Sequence, residues 1–303
     1  MTAGKLEGER TVITRGSSLY PECLEHINQP PKRLFVLGNV EALQEGVAFV
    51  GARKATPYGL GCASRFAKLC AKNRVAVISG GALGCDCAAQ RACVEEGGIT
   101  VSFVPSINDV YPRQNFALFQ QIVDCGGALV SENGWDVPCM PWMFRMRNRL
   151  IAGLAKATLI CEAGIPSGTF STADEALAAN REVMVVPGSI TSKNSRGSNR
   201  LIYQGATPII DDETFVDELS RLFGCLQSKK IPSLPQGVEL SEIDATLLEA
   251  INSSNLMVDE IMSVARKFFS DEEVLSETMI WLAKATKNGW VARYRDGTYG
   301  PVV

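Results

Sequence analysis

The chain has 303 residues, 46% hydrophobic and 21% charged, which suits one large and one small packed domain and excludes wholesale disorder. Its net charge of −3 argues against coating nucleic acid by bulk positive charge, so any such site has to be a local basic patch. No run of eighteen apolar residues occurs and MTAGKLEGERTVITRG lacks an apolar signal core, so no membrane span is expected and a cytoplasmic location is.

Residues 1–33 are mixed and turn-rich, and end at Gln29-Pro30-Pro31. From residue 34 short apolar runs alternate with helical patterns. The expected strands are 34–38, 47–51, 75–81, 99–105, 127–132, 157–164 and 182–188. The expected helices are 59–72, 85–96, 115–125, 147–155 and 171–180. Continuous apolar strands alternating with helices predict a mainly parallel sheet covered on both faces, an α/β fold of extended Rossmann-like type over 34–228.

At 229–238 the chain turns Pro-rich and polar, as a linker does. Residues 239–303 then show three amphipathic helices and a hairpin turning at Asp296-Gly297, the outline of a small C-terminal winged-helix domain. From residue 236 onward eleven acidic and six basic side chains leave −5, so the preceding part carries +2. An acidic winged helix reads DNA poorly, and a protein-contact role is expected of it.

The ten cysteines include no C-x-x-C pair, and Cys62, Cys70 and Cys93 sit among apolar residues. Buried reduced thiols are expected. The single histidine, His26, excludes a histidine triad or a multi-histidine metal site. No catalytic residue, metal or cofactor is expected.

Four segments carry the chemistry. In VAFVGARKATPYG (47–59), Gly51 ends a strand, and Arg53, Lys54 and Thr56 precede a helix. ISGGALGCD (78–86) repeats the pattern with Ser79, Gly80 and Gly81. Such loops aim backbone N–H groups and a helix N-terminus at an anion, although a tight turn without a ligand looks the same. Two on successive strands favour the anion, because both open at the carboxyl edge of one parallel sheet. Neither is a dinucleotide fingerprint or a Walker A loop.

In MFRMRNRLIAGL (143–154), Arg145, Arg147 and Arg149 alternate around Asn148 just before an apolar helix. Guanidinium forks suit phosphate oxygens, and Phe144 offers a stacking face. In CEAGIPSGTFSTADEAL (161–177), Ser167, Gly168 and Thr169 form a small-residue loop suited to a phosphate, with a capping box expected at Ser171 or Thr172.

Seven ordered motifs, G-A-R-x-x-T-x-Y-G, S-G-G-A-x-G-x-D, V-Y-P-x-x-N, R-N-R-L-I-A-G-L, E-A-x-x-x-S-G-T, V-P-G and G-x-N-x-L-I-x-x-G-A, resemble the DprA/Smf DNA-processing family over about residues 20 to 220. The resemblance implies a protein that is not an enzyme. It implies binding of single-stranded DNA on the Rossmann-like domain, a homodimer, and assistance to RecA recombinase during natural transformation or DNA uptake. It assigns Arg53, Ser79, Gly80, Arg147 and Arg149 to the DNA phosphates, with Ser167 and Gly168 completing the pocket. Three features depart from the family. Gln90 replaces its histidine, Arg145 replaces the proline after Phe144, and only about thirty residues stand where a helical domain often precedes the sheet.

The same fold resembles the LOG-type nucleoside-monophosphate phosphoribohydrolases, which use P-G-G-x-G-T-x-x-E. Pro166-Ser167-Gly168-Thr169 lacks the double glycine, and Glu175 stands six residues after Thr169. A nucleotide sensor or hydrolase is therefore the alternative reading.

Overall fold

The computed structural model describes residues 5–224, 241–253, 256–288, 290–293 and 297–300. The chain forms two compact units, 1–225 and 226–303. The linker expected at 229–238 lies outside the described residues.

The first unit is built on one nine-stranded sheet. Its strands are β1 (Arg10–Thr14), β2 (Arg33–Gly38), β3 (Gly46–Val50), β4 (Ala76–Ser79), β5 (Thr100–Phe103), β6 (Ala128–Ser131), β7 (Ala155–Ile160), β8 (Glu182–Val185) and β9 (Thr207–Pro208). Their spatial order is β1-β2-β6-β5-β4-β3-β7-β8-β9. The seven strands from β6 to β9 run parallel, and β2 pairs antiparallel with both β1 and β6. The fold is the expected mainly parallel, Rossmann-like α/β architecture.

Two strands escaped the sequence reading. In β1, read as turn-rich, only Ile13 is buried, so an edge strand leaves no apolar run to detect. β9 is two residues long and ends in a proline, which an edge tolerates. The helices α1 (Pro57–Lys72), α2 (Cys85–Glu95), α3 (Phe116–Asp124), α4 (Met143–Met146), α5 (Asn148–Leu154), α6 (Thr169–Ala178), α7 (Arg196–Tyr203) and α8 (Asp212–Phe223) complete the unit. α6 begins two residues before the expected 171, so neither Ser171 nor Thr172 is its cap.

Alternation along the central strands sorts the core into two layers. Val47 and Phe49 of β3 join Ala63, Phe66, Ala89, Cys93, Phe215 and Leu219 beneath α1, α2 and α8. Ala48 and Val50 face the other way, onto Leu150, Ile151, Ala173 and Ala176 of α5 and α6. Both faces are covered, which is why these strands read as unbroken apolar runs. Cys70, Cys85, Cys93 and Cys161 are buried in the core, and burial pushes the Cys93 thiol up to about 12.

The layers set the position of the functional edge. β4 lies on one side of β3 and β7 on the other, so the chain crosses over in opposite directions from β3. Such a reversal leaves a crevice outside the carboxyl ends of the two strands.

The second unit contains α9 (Glu242–Ser253), α10 (Val258–Ala265), α11 (Val274–Lys287) and a two-stranded antiparallel ribbon, β10 (Ala292–Arg293) with β11 (Tyr299–Gly300). Leu256, between α9 and α10, bridges to Tyr299. Trp281, Leu282, Trp290 and Leu247 centre its own core. Of the expected hairpin turn, Asp296 lies outside the described residues and Gly297 has φ of +89°.

Phe215 is fully buried between Phe49 and Phe66, with ring centroids 6.5 and 4.8 Å away. Phe215→Ala should lower the stability of the first unit by about 3–5 kcal/mol, the usual cost of such a cavity. Denaturant unfolding followed by Trp fluorescence and circular dichroism checks this. An unchanged midpoint would mean that α8 is not part of the core.

Candidate functional site

Two buried carboxylates organise the loops at the reversal. Glu162, just after β7, accepts from the Thr56 amide at 2.7 Å and the Thr56 hydroxyl at 2.8 Å. Thr56 in turn caps α1, its hydroxyl accepting from the Gly59 amide at 3.3 Å. Gly59 lets α1 approach this closely, since a Cβ there would overlap the Glu162 carboxylate. The backbone adds a further link, with the Ala52 amide donating to the Glu162 carbonyl at 2.8 Å.

Asp86, at the start of α2, is the second. Its carboxylate accepts from the amides of Gly80 and Ala82 at 3.2 and 3.4 Å. The second glycine loop therefore already holds an anion, and that anion is part of the chain. Burial pushes the Asp86 carboxyl up, and the positive charge of Arg147 works against that rise.

Arg147 is the counterpart. It is 5% exposed, and its guanidinium crosses Gly80 where a Cβ would collide with it. Its Nη1 donates to the Phe103 carbonyl at 2.6 Å, whereas its Nε has no partner. Burial pushes its pKa down to about 10, with Asp86 opposing and Arg53 reinforcing the shift. At neutral pH Arg147 remains a buried cation beside a second one, an arrangement that another anion would relieve.

A crevice of about 590 Å³ opens above these groups. Its walls include Gly51, Arg53, Arg145, Arg147, Asn148, Ser167, Gly168 and Thr169. The structure thus brings together eight of the thirteen residues singled out from the sequence. Ser167 Oγ accepts from the Thr169 amide at 3.2 Å, shaping the turn into α6. A second hollow of about 860 Å³ shares Arg53, Ala82, Pro141 and Phe144 with the first and adds Gly80, Tyr111 and Arg113. Between them Arg53 lies over the Phe144 ring at 5.6 Å, and Tyr111 meets that ring edge-on at 5.3 Å.

Four of the expected residues do something else. Arg149 is 6% exposed and committed to a bidentate pair with Glu132, at 2.8 and 2.6 Å. It also donates to the carbonyls of Gln29 and Met146 at 3.1 and 2.6 Å. Four of its five N–H donors tie α5 to the end of β6 and to the N-terminal segment, which positions the basic segment. Ser79 is fully buried and donates to the Phe49 carbonyl at 2.7 Å. Gly81 is buried, its carbonyl accepting from Asn115 at 2.9 Å. Lys54 points to a different groove, between α1 and α2.

Residues missed from the sequence are Tyr111 and Arg113, whose only signal was the V-Y-P-x-x-N motif, and Asp174, which lines the crevice from α6. Glu175, the base of the hydrolase alternative, is not among the crevice-lining residues. Gln90 is buried in the core, donating to Thr100 and to the Val101 carbonyl at 3.3 Å each, and lines neither hollow.

The family model for DNA recombination-mediator protein A matches residues 11–220. The chain belongs to this family. Protein Smf of Escherichia coli is 36% identical over 210 residues, 69% of this chain and 56% of that protein. DNA processing protein DprA of Bacillus subtilis is 34% identical over 211 residues, 68% of this chain and 70% of that protein. A solved structure of DNA processing protein A from Helicobacter pylori, described by its single-stranded DNA binding mode, superposes with a TM-score of 0.65 at 29% identity, over 72% of this chain and 99% of that one. The family is described as a recombination mediator. Among the described residues no helix is long and apolar enough to cross a membrane.

Asp86→Ala strips the acceptor from two loop amides and removes the negative charge near buried Arg147, and should cost about 1–3 kcal/mol for each amide left unsatisfied. Asp86→Asn keeps an acceptor but not the charge, and should fall between that variant and the parent in denaturant unfolding. Equal stability of all three would mean that the carboxylate does not hold the loop.

Proposed function

We propose that this chain binds single-stranded DNA in the crevice at the β3/β7 reversal and acts as a recombination mediator. The observation that carries the reading is the group of three arginines on the crevice wall, only one of which has a carboxylate offsetting its charge. Arg53 and Arg145 are exposed and form no ion pair among the described residues, and Arg147 presents an unpartnered, buried Nε beside them. Arg53, Arg145 and Arg147 take the phosphates, with Asn148, Ser167, Gly168 and Thr169 supplying polar contacts opposite.

The Phe144–Tyr111 pair selects a single strand. Tyr111 is 52% exposed, and a ring of this kind stacks on bases that are free of a pairing partner. The H. pylori relative's single-stranded DNA binding supports the same choice. On this reading the protein works in the cytoplasm as a homodimer, protects incoming DNA during uptake, and assists loading of a RecA-type recombinase. The second unit, with three helices, an antiparallel ribbon and a net charge of −5 from residue 236 onward, serves as a winged-helix module for protein contact.

Arg53→Ala with Arg145→Ala should weaken binding to an oligothymidylate and flatten its dependence on log salt by about 1.4, at about 0.7 per lost phosphate contact on a single strand. Phe144→Ala should cost about 1–3 kcal/mol of affinity for a lost stack. Fluorescence anisotropy in rising salt measures both, with duplex of the same sequence as competitor. Parent-like affinity and slope in the double variant, or equal competition by duplex, would overturn the reading. Purified protein should release no free base from a nucleoside monophosphate.

A further inference from the structure

The groove that receives Lys54 is not part of the crevice, yet it meets the crevice at one residue. Arg53 lines both. The groove encloses about 500 Å³ between α1 and α2, on the opposite layer from the basic segment. On α1, Leu60, Ser64 and Lys68 recur every four residues and so share one stripe. On α2, Cys87, Arg91 and Glu95 do the same, and Gly84 just before the helix with Ala88 and Ala92 on it forms a low floor.

Its charge is selective. Among the described residues, Arg53, Lys54, Lys68 and Arg91 form no ion pair, and all four are exposed. Cations elsewhere on these helices are neutralised: Arg65 pairs with Asp212, and Lys72 with Glu96 at 3.9 Å. Four unneutralised cations therefore converge on one trough, in a chain whose net charge is −3. The single acid in the lining, Glu95, stands at the end of α2 farthest from the crevice.

We propose that the α1/α2 groove is the exit path of the same single strand, taking the phosphates of nucleotides that leave the crevice past Arg53. The inference rests on the reading of the crevice as a single-stranded DNA site. The strand crosses loop 51–56, where Lys54 meets it, and runs between Lys68 and Arg91 over the alanine floor. Glu95 repels the next phosphate and ends the track. Along α2, ten residues at 1.5 Å each span about 15 Å, room for at most about four phosphates at a stacked spacing of 3.4 Å. The groove offers no exposed aromatic side chain, so it holds backbone and leaves the bases outward, free for another protein.

The test is a length series on the full chain. Anisotropy is measured in rising salt with an oligothymidylate of about five nucleotides, which the crevice alone accommodates, and with one of about 20. Lys68→Ala with Arg91→Ala should leave the short oligonucleotide's affinity and salt slope unchanged. On the long one it should flatten the slope by about 1.4. Glu95→Gln should tighten binding of the long oligonucleotide alone. An unchanged slope on the long strand, or an equal loss on both lengths, overturns the exit path while leaving the crevice reading intact. Failure of the parent protein to bind either oligonucleotide overturns both.

Discussion

The carboxylate of Asp86 sets the character of the whole edge. It fills the turn made by Gly80 and Ala82, so the second glycine loop is closed from inside. It also offsets part of the cost of burying Arg147, whose guanidinium can then lie flat across Gly80. One internal anion thereby occupies a glycine-rich turn that by itself would suit a phosphate, and makes it the pedestal of a buried arginine. Glu162 does the corresponding work on the first loop, holding Thr56 and with it the start of α1. Both loops are rigid because their polar groups are paired before any ligand arrives, which keeps the ordering cost of binding low.

The arginines divide accordingly. Arg149, held by Glu132 and two carbonyls, fixes where α5 begins. Arg147, part-compensated, gives the crevice a charge that water screens poorly. Arg53 and Arg145 stay exposed to solvent. A graded set of this kind, from fully paired to open, localises positive potential on a protein that is acidic as a whole. The −5 carried from residue 236 onward leaves the Rossmann-like part with the positive balance, so the two ends of the chain suit different partners.

Much of the fold was legible from residue order. The seven strands β2 to β8 announced themselves as apolar runs because both faces of the sheet are covered, and the alternation of β3 to β8 with helices matched their parallel pairing, whereas the antiparallel placement of β2 against β6 left no mark in the sequence. β1 and β9 did not, since an edge strand buries few residues and needs no apolar pattern. The early start of α6 was hidden as well, because Gly168 makes no side-chain cap and Ser167 supports the turn from one residue earlier.

For the site, the sequence determined which residue types were available: small loops at strand ends, three alternating arginines, and the ordered motifs of a recombination-mediator family. Only the tertiary structure decided which of them meet. Whether an arginine faces a ligand or a carboxylate depends on what the neighbouring strand ends bring. Glu132 is seventeen residues from Arg149, and the Phe103 carbonyl that accepts from Arg147 is forty-four from it. Spacing along the chain carries no trace of those partners. Strand order puts them side by side, and burial then makes pairing compulsory, because a guanidinium removed from water needs its charge and its donors answered.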